Sequence, residues 1–197
     1  MPISKVIVLL GVWVITEASA LDAPPEVQAC VACHGAKGEG TPQGPMLAGL
    51  SEPYLSAQIE NFIAGRRSNA VMSAIAQGYS DVKLRNQVTT YFAGQGTTLT
   101  LRLRGAQVDT LLAEQLYYQG DLRRDLPACY SCHGPSAIGS GPFPRLAGQQ
   151  AAYLKEQLLA WKSRQRSGDP DNMMGNIAQK LSAQDIDALS GYLSGIR

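Results

Sequence analysis

The 197-residue chain is poor in histidine, cysteine, charged residues and large aromatic side chains. It contains only 2 His, 4 Cys, 3 Phe and 2 Trp, and 17% of its residues are charged. The formal net charge of +1 gives no support for nucleic-acid binding, which usually shows a basic stripe and a high pI. A chain of this length forms one or two domains. If it forms two, so few Phe and Trp fill two small cores only thinly, and a bound group has to complete them.

All four cysteines and both histidines lie in two motifs of the same pattern, Cys30–His34 and Cys129–His133. This Cys-x-x-Cys-His pattern is the attachment signature of c-type haem, in which the thiols bond to the two vinyl groups of the porphyrin and the imidazole binds the iron. The sequence therefore predicts two covalently bound haem c groups, and buried haem would supply the missing apolar volume. The predicted attachment residues are Cys30, Cys33, Cys129 and Cys132, and the predicted histidine ligands of the iron are His34 and His133.

Two disulfide bonds or a zinc site are the other uses that four cysteines suggest. A disulfide framework in an exported protein does not require a histidine after each Cys-x-x-Cys pair. The two clusters lie 99 positions apart (129 − 30), far beyond the usual spacing of a zinc finger. Haem attachment is therefore the favoured interpretation of both motifs.

Residues 1–20 have the pattern of a secretory signal peptide. Lys5 supplies a positive charge, Val6–Ile15 is an apolar run, and Ala18–Ala20 is a small-x-small cleavage site. An uncleaved membrane anchor is the alternative, but the run falls short of the roughly 20 apolar residues that span a bilayer. We expect cleavage after Ala20 and a periplasmic protein, because in bacteria c-type haem is attached outside the cytoplasmic membrane.

An internal repeat covers the rest of the chain. Pro45–Gly49 and Pro144–Gly148 both read Pro-x-Leu-Ala-Gly, and each begins 11 positions after the histidine of its motif. Tyr-Leu-x-x-Gln and Met-x-x-Ile-Ala patterns follow in both copies, with three extra residues between them in the second copy. The sequence therefore predicts a duplicated domain. The expected division is a signal peptide at 1–20, a first domain at 21–92, a linker at 93–106 and a second domain at 107–197.

Hydrophobic periodicity predicts that both copies are helical. Apolar residues recur at helical spacing around each haem motif and again near the end of each copy. Ser80 and Ser182 precede the last helix of each copy, where an N-cap belongs. Between the copies, Leu99, Leu101 and Leu103 alternate with polar residues, which predicts an extended linker packed along one domain, with a partner-docking strand as the alternative. The predicted helices are 24–29, 53–64 and 81–92 in the first copy and 107–119, 151–162 and 183–193 in the second.

The repeated motifs resemble those of the dihaem cytochromes c of the cytochrome c4 family, which are class I c-type cytochromes. The resemblance extends over essentially the whole chain after residue 20. It rests on Cys-x-x-Cys-His-Gly, Pro-x-Leu-Ala-Gly, Tyr-Leu-x-x-Gln and Met-x-x-Ile-Ala, each present twice, and on a tyrosine near the end of each copy. It implies an all-α fold of two tandem class I cytochrome c domains related by a pseudo-twofold axis, with the haems close across the interface. It also implies periplasmic electron transfer, often towards a terminal oxidase and sometimes with loose membrane attachment.

The same resemblance implies that Met72 and Met174 are the distal iron ligands, and their equivalent positions in the two copies support this. A thioether opposite histidine is a neutral ligand that raises the haem potential. The alternative is that these methionines only fill gaps in the core. Met173 is adjacent in the second copy, but alignment on Ile-Ala selects Met174. Met46 also lies near the first motif, and because its counterpart is Arg145 we interpret it as a packing residue.

Two further sets of residues are expected near the haems. Pro45 and Pro144 correspond to the class I proline whose carbonyl accepts a hydrogen bond from the proximal imidazole. Four arginines just before the distal loops are candidates for neutralising haem propionates, and a solvated helix end is the equally favoured alternative. These arginines are Arg66, Arg67, Arg164 and Arg166.

An electron carrier is the function that these features favour, because two axial ligands at each iron leave no open position for a substrate. The alternative is the dihaem subunit of a periplasmic dehydrogenase. The stretch Met72–Ser80 resembles the cytochrome subunit of flavocytochrome c sulfide dehydrogenases, and Leu50 stands where cytochromes c4 usually carry glutamine. A true enzyme such as a dihaem peroxidase is disfavoured, because no histidine is left for acid–base work. The expected partners are redox proteins, namely an oxidase, a cytochrome bc1 complex or a dehydrogenase, and no nucleic acid.

Overall fold

The regular structure of the computed structural model is helical throughout the residues that it describes, 23–96 and 110–196, which confirms the all-α prediction. The predicted signal peptide and residues 97–106 of the predicted linker lie outside these ranges. No helix within them is long and apolar enough to cross a bilayer. The helices of the first half are α1 (Gln28–His34), α2 (Glu52–Ile63), α3 (Ala70–Gln77) and α4 (Val82–Ala93). Those of the second half are α5 (Thr110–Tyr118), α6 (Tyr130–His133), α7 (Ala151–Lys162), α8 (Met173–Lys180) and α9 (Ala183–Gly195).

The helix after each Pro-x-Leu-Ala-Gly stretch forms where the sequence places it. The bounds of α7 are those predicted, and α2 begins and ends one residue earlier than predicted. Ser51 caps α2 by accepting a hydrogen bond from the Tyr54 N–H at 3.3 Å. Pro53 follows in the first turn, where an N–H has no helical partner and its loss costs little.

The last helix of each half begins with a different cap. In α9 the predicted cap is confirmed, since Ser182 Oγ accepts from the Asp185 N–H at 3.1 Å and the Asp185 carboxylate accepts from the Ser182 N–H at 2.8 Å. The prediction that Ser80 caps α4 is wrong. Asp81 is the cap, and its carboxylate accepts from the Leu84 N–H at 2.9 Å. A carboxylate is also favoured at this position by the positive end of the helix dipole.

The two short helices α3 and α8 were not predicted. Each contains eight residues, little more than two helical turns and shorter than the window in which helical periodicity is recognised. The Asn69 side chain starts α3 by accepting hydrogen bonds from the N–H groups of Val71 and Met72. In the second half, the extra residues enter a loop that contains a 3-10 turn at Pro170–Asn172, directly before α8. The methionines predicted to bind iron thus lie in the first turns of these helices.

Each half has its own hydrophobic core. In the first half α2 and α4 pack together around Phe92, which is 1% exposed. In the second half α5 and α7 pack against α9, and Tyr117 is completely buried. The Tyr117 hydroxyl donates a hydrogen bond to the Gly134 carbonyl at 2.6 Å. This contact ties the second core to the chain immediately after the second haem motif.

Candidate haem sites

The predicted haem-binding residues of the first half line one cavity of about 520 Å³. Cys30, Cys33 and His34 reach it from α1, and Met72 reaches it from α3. Tyr153 contributes to the wall from the second half of the chain. The structure therefore brings together all four residues that the sequence assigns to the first haem, and it places them next to the other domain.

Both motif histidines are buried and hydrogen-bonded in the same way. His34 Nδ1 lies 2.7 Å from the Pro45 carbonyl oxygen, and His133 Nδ1 lies 2.9 Å from that of Pro144. Since a carbonyl oxygen only accepts, each ring donates its Nδ1–H, which confirms the expected proline contacts and leaves Nε2 available to a metal. Burial lowers the pKa of both imidazoles, although the contact with proline acts in the opposite sense. Both rings are therefore neutral at pH 7, the form that binds iron.

The cysteines of both motifs are unpaired, so the disulfide alternative is wrong. All four are half-buried. Cys30 packs against the first core and Cys129 against the second. The helices α1 and α6 end at His34 and His133, and each is followed by a glycine whose φ of 84° or 77° turns the chain away. Paired thiols on the helix that ends in the histidine, or at its N-cap in the case of Cys129, suit covalent attachment to two vinyl groups.

The methionines Met72 and Met174 occupy equivalent places in the first turn of a short helix. The N–H of Met72 donates to the Asn69 side chain at 3.0 Å, and the N–H of Met174 donates to the Asp169 carboxylate at 2.6 Å. Both methionines are half-buried, whereas Met173 is 37% exposed. The geometry therefore favours Met174 over its neighbour, as the repeat does, and the ligand assignment stays a prediction.

Three buried arginines test whether these sites fit haem. Arg67, Arg145 and Arg166 are each at most 8% exposed, and none forms an ion pair with a side chain of the described residues. Among the described residues, Nη1 of Arg145 and Nε of Arg166 also have no hydrogen-bond partner. Buried cations without anions are costly. Haem carries two propionate carboxylates, so the cavity, the paired thiols, the neutral imidazoles and the uncompensated cations together fit haem c.

Arg67 and Arg166 join the two halves. The two residues form an isolated antiparallel backbone bridge. The Arg67 guanidinium crosses to the second half and donates to the Tyr153 hydroxyl at 2.6 Å and to the Gln157 side chain at 3.0 Å. It also donates to Gln58 in its own half at 3.1 Å. Because Arg67 lines the first cavity, the interface and the candidate haem site share a residue.

Arg166 makes the equivalent contacts in the opposite direction. It donates to Tyr54 at 3.1 Å, to Gln58 at 2.8 Å and to Gln157 at 2.8 Å. Each member of this network stands 99 positions from its counterpart, the same offset as the haem motifs (166 − 67 and 129 − 30). Exchanging the two halves therefore maps the network onto itself, as a pseudo-twofold axis requires.

The sequence identified the arginines of the interface but not their role. Arg66 and Arg164 are exposed, as a solvated helix end predicts, whereas Arg67 and Arg166 are buried between the halves. The signal that could have separated them is the offset of 99, which pairs Arg67 with Arg166 and leaves the other two unmatched. The interpretation of Met46 as a packing residue was incomplete, because its sulfur accepts a hydrogen bond from Arg145 of the other half.

Comparison with known proteins agrees with this geometry. The cytochrome c family model matches residues 27–113 and again 114–197. The thiosulfate dehydrogenase electron acceptor of Thiomonas intermedia (strain K12) is 40% identical over 182 residues, which cover 90% of this chain and 82% of that protein. The structure of reduced recombinant cytochrome c4 from Pseudomonas stutzeri has a TM-score of 0.76 and 34% identity, covering 87% of this chain and 95% of that one. The "as isolated" thiosulfate dehydrogenase (TsdBA) from Marichromatium purpuratum has a TM-score of 0.76 and 40% identity, and the match covers 85% of this chain but 36% of that longer chain.

The chain belongs to the cytochrome c family. Within that family the predicted kind is confirmed: a dihaem cytochrome of the cytochrome c4 type, with two tandem cytochrome c domains and a covalently bound haem c at each Cys-x-x-Cys-His motif. It carries electrons and is not itself a catalyst, as the names of its relatives indicate.

Proposed function

We propose that this chain is the periplasmic electron acceptor of a thiosulfate dehydrogenase. The observation that carries the proposal is the 40% identity, over 90% of the chain, to a relative named as such an acceptor. The sequence favoured a respiratory shuttle and gave a dehydrogenase subunit as the alternative. The relatives support the dehydrogenase alternative, but they name thiosulfate as the substrate and not sulfide. The proposed mature protein begins after Ala20, with domains at 21–92 and 107–197 joined by a linker at 93–106.

The residues of each site would hold the cofactor and close its coordination. Each bound haem supplies an iron that changes by one electron between the ferrous and ferric states. In the first half, the two motif cysteines would anchor the porphyrin, and His34 and Met72 would bind the iron. Two protein ligands on the iron would leave no place for a substrate, which suits the chain to electron transfer. The corresponding residues of the second half are Cys129, Cys132, His133 and Met174.

The distal ligand of the second half is tested by a pair of substitutions. Met174→His replaces a neutral thioether with an imidazole and should lower the potential of the second haem strongly. Met173→Leu should leave that potential nearly unchanged, because this side chain is exposed. A redox titration followed by absorbance measures both variants. The reverse result would assign the ligand role to Met173.

The partner is tested by mixing the oxidised protein with a thiosulfate dehydrogenase catalytic subunit in a stopped-flow spectrometer. Both haems should become reduced when thiosulfate and the dehydrogenase are both present, and they should stay oxidised when either is omitted. The matched comparison uses sulfide and a flavocytochrome c catalytic subunit, which should reduce the protein more slowly. Equal or faster reduction by the sulfide enzyme would contradict the proposed substrate.

A shuttle between respiratory donors and a terminal oxidase is the second candidate. It is favoured by the match to cytochrome c4 from Pseudomonas stutzeri, of which this chain spans 95%. Reduction by a cytochrome bc1 complex and oxidation by a terminal oxidase, without reduction by thiosulfate dehydrogenase, would support this candidate over the first.

A further inference from the structure

Gln149, in the second half of the chain, binds the backbone of Met46 in the first half. This side chain is 4% exposed. Its Oε1 accepts a hydrogen bond from the Met46 N–H at 3.0 Å, and its Nε2 donates to the Met46 carbonyl at 3.0 Å. The orientation of the amide is fixed, because the Met46 N–H can only donate. Gln149 therefore pairs with both backbone polar groups of Met46, as a residue on a neighbouring β-strand would.

The peptide group that Gln149 contacts is also the one that contacts the proximal histidine. The carbonyl of Pro45 accepts from His34 Nδ1 at 2.7 Å, and the N–H on the same planar peptide unit is the Met46 N–H that donates to Gln149. A continuous chain of hydrogen bonds thus runs from the His34 ring, through one peptide, to the other half of the protein. Hydrogen bonds in such a chain polarise and strengthen one another.

Within the described residues, the second half has no matching arrangement. The offset of 99 places Leu50 at the position equivalent to Gln149. Leu50 is 6% exposed and belongs to the apolar core of the first half. A leucine side chain has no amide, so it cannot accept a hydrogen bond from the Arg145 N–H that follows Pro144. The link from the interface to the peptide beside the proximal histidine is therefore one-sided, although the haem motifs themselves are repeated.

We propose that Gln149 is a positioning residue that adjusts the iron-bound His34 across the domain interface and so sets the potential of the first haem separately from that of the second. The reason is electronic. By accepting from the Met46 N–H, Gln149 makes the Pro45 carbonyl a stronger acceptor for the His34 N–H. A more strongly hydrogen-bonded imidazole is a more basic ligand and stabilises the ferric iron, which lowers the potential. The proposal rests on His34 being the axial ligand of the first haem.

Gln150 provides a matched control, because it crosses the same interface without touching this peptide group. Its Nε2 donates to the carbonyls of Thr41 at 2.7 Å and Gly44 at 3.3 Å. A purely structural role for these glutamines predicts that removing either one loosens the interface and changes both haems in a similar way. The proposed role predicts that only Gln149 acts selectively on the first haem.

The experiment compares Gln149→Leu and Gln150→Leu in the haem-loaded protein by redox titration, with urea unfolding as a second measurement. Gln149→Leu should raise the potential of the first haem and leave that of the second unchanged, whereas Gln150→Leu should not raise the first selectively. A parallel series that carries Met174→His identifies which potential belongs to which haem, and failure of that marker to shift would reveal a wrong ligand assignment and not a wrong proposal.

Gln149→Asn extends the test if the leucine variant folds poorly, since its side chain is one methylene too short to reach Met46 and retains the amide. It should raise the first potential in the same sense. An unchanged first potential in the Gln149 variants would overturn the proposal. So would an equal rise in Gln150→Leu. A change in potential that follows the fall of the urea midpoint in every variant would also overturn it, because loosening of the interface alone would then explain the change.

Discussion

Replacing Arg67 by leucine should weaken the contact between the two halves, and the contacts of its guanidinium give the size of the effect. The guanidinium lies 4.6 Å from the centre of the Phe62 ring, and two of its hydrogen bonds cross to Tyr153 and Gln157. A hydrogen bond to a charged group contributes roughly 2 kcal/mol net, and a partly desolvated cation–π contact roughly 1 kcal/mol. Gln157 keeps its bond from Arg166, so we count only the Tyr153 bond as lost. The expected destabilisation is about 3 kcal/mol.

A double-mutant cycle isolates the contribution of the hydrogen bond. The free energy of unfolding in urea is measured for Arg67→Leu, for Tyr153→Phe and for the double variant. We expect a coupling energy of about 2 kcal/mol. The equivalent bond between Arg166 and Tyr54 is longer, 3.1 Å against 2.6 Å, and should couple by about 1 kcal/mol. Arg66→Leu is the matched control, because Arg66 is exposed and should show no coupling with Tyr153 above about 0.5 kcal/mol.

One result would refute this reasoning. If Arg67 and Tyr153 couple by less than about 0.5 kcal/mol, their short hydrogen bond does not contribute to domain association, and other contacts hold the halves together. An equal coupling of Arg66 with Tyr153 would instead show a general effect of positive charge and not a specific bond.

Two further substitutions test charged side chains of the second half. Asp185→Asn should lower the free energy of unfolding by about 2 kcal/mol at pH 7, because it removes the charged half of the capping box and the ion pair with Arg124 at 2.5 Å. Burial raises the pKa of Asp185, but the hydrogen bonds from Arg124 and Ser182 outweigh it and hold the pKa below 3.8. The stabilisation is therefore complete above that value and is lost as the pH falls through the lower folded pKa, so the deficit of the variant should shrink in acid. A deficit that is the same at all pH values, or one as large in the exposed control Asp187→Asn, would contradict this. Arg145→Met should lower the potential of the first haem by on the order of 40 mV, about 1 kcal/mol, because it removes a buried cation that disfavours the ferric state and that contacts Met46 in the wall of the first cavity; a redox titration that shows no change or a rise would contradict it.

The haem motifs and the long helices could be predicted because their signals are local. The Cys-x-x-Cys-His pattern occupies five adjacent residues, and α7 shows its apolar residues over three turns. The helices α3 and α8 could not be predicted, because each has only eight residues and neither starts with a distinctive signal. The α3 helix is capped by Asn69, a residue type that is just as common in turns, and α8 has no capping side chain at its N-cap residue.

The interface could not be predicted, because its partners are far apart in sequence and polar in character. Arg67 and Tyr153 are separated by 86 positions, and Gln150 and Thr41 by 109. Arginine, tyrosine and glutamine fit a solvated helix surface as well as a buried contact. The repeat shows which residues are equivalent, but equivalence does not show that two equivalent surfaces face each other.

The two halves are alike in the contacts that join them and unlike in the contacts beside the proximal histidines. In the network of Arg67 and Arg166, the residues at equivalent positions are of the same type. At two other pairs of equivalent positions the residue types differ: Met46 corresponds to Arg145, which it contacts, and Leu50 corresponds to Gln149. Both differences bring a side chain of the second half to Met46, next to the peptide that contacts His34. The proposed effect of Gln149 lowers the potential of the first haem, whereas the buried charge of Arg145 acts in the opposite sense. The residues that break the repeat therefore give the first haem surroundings that differ from those of the second, which an exact duplication would leave alike.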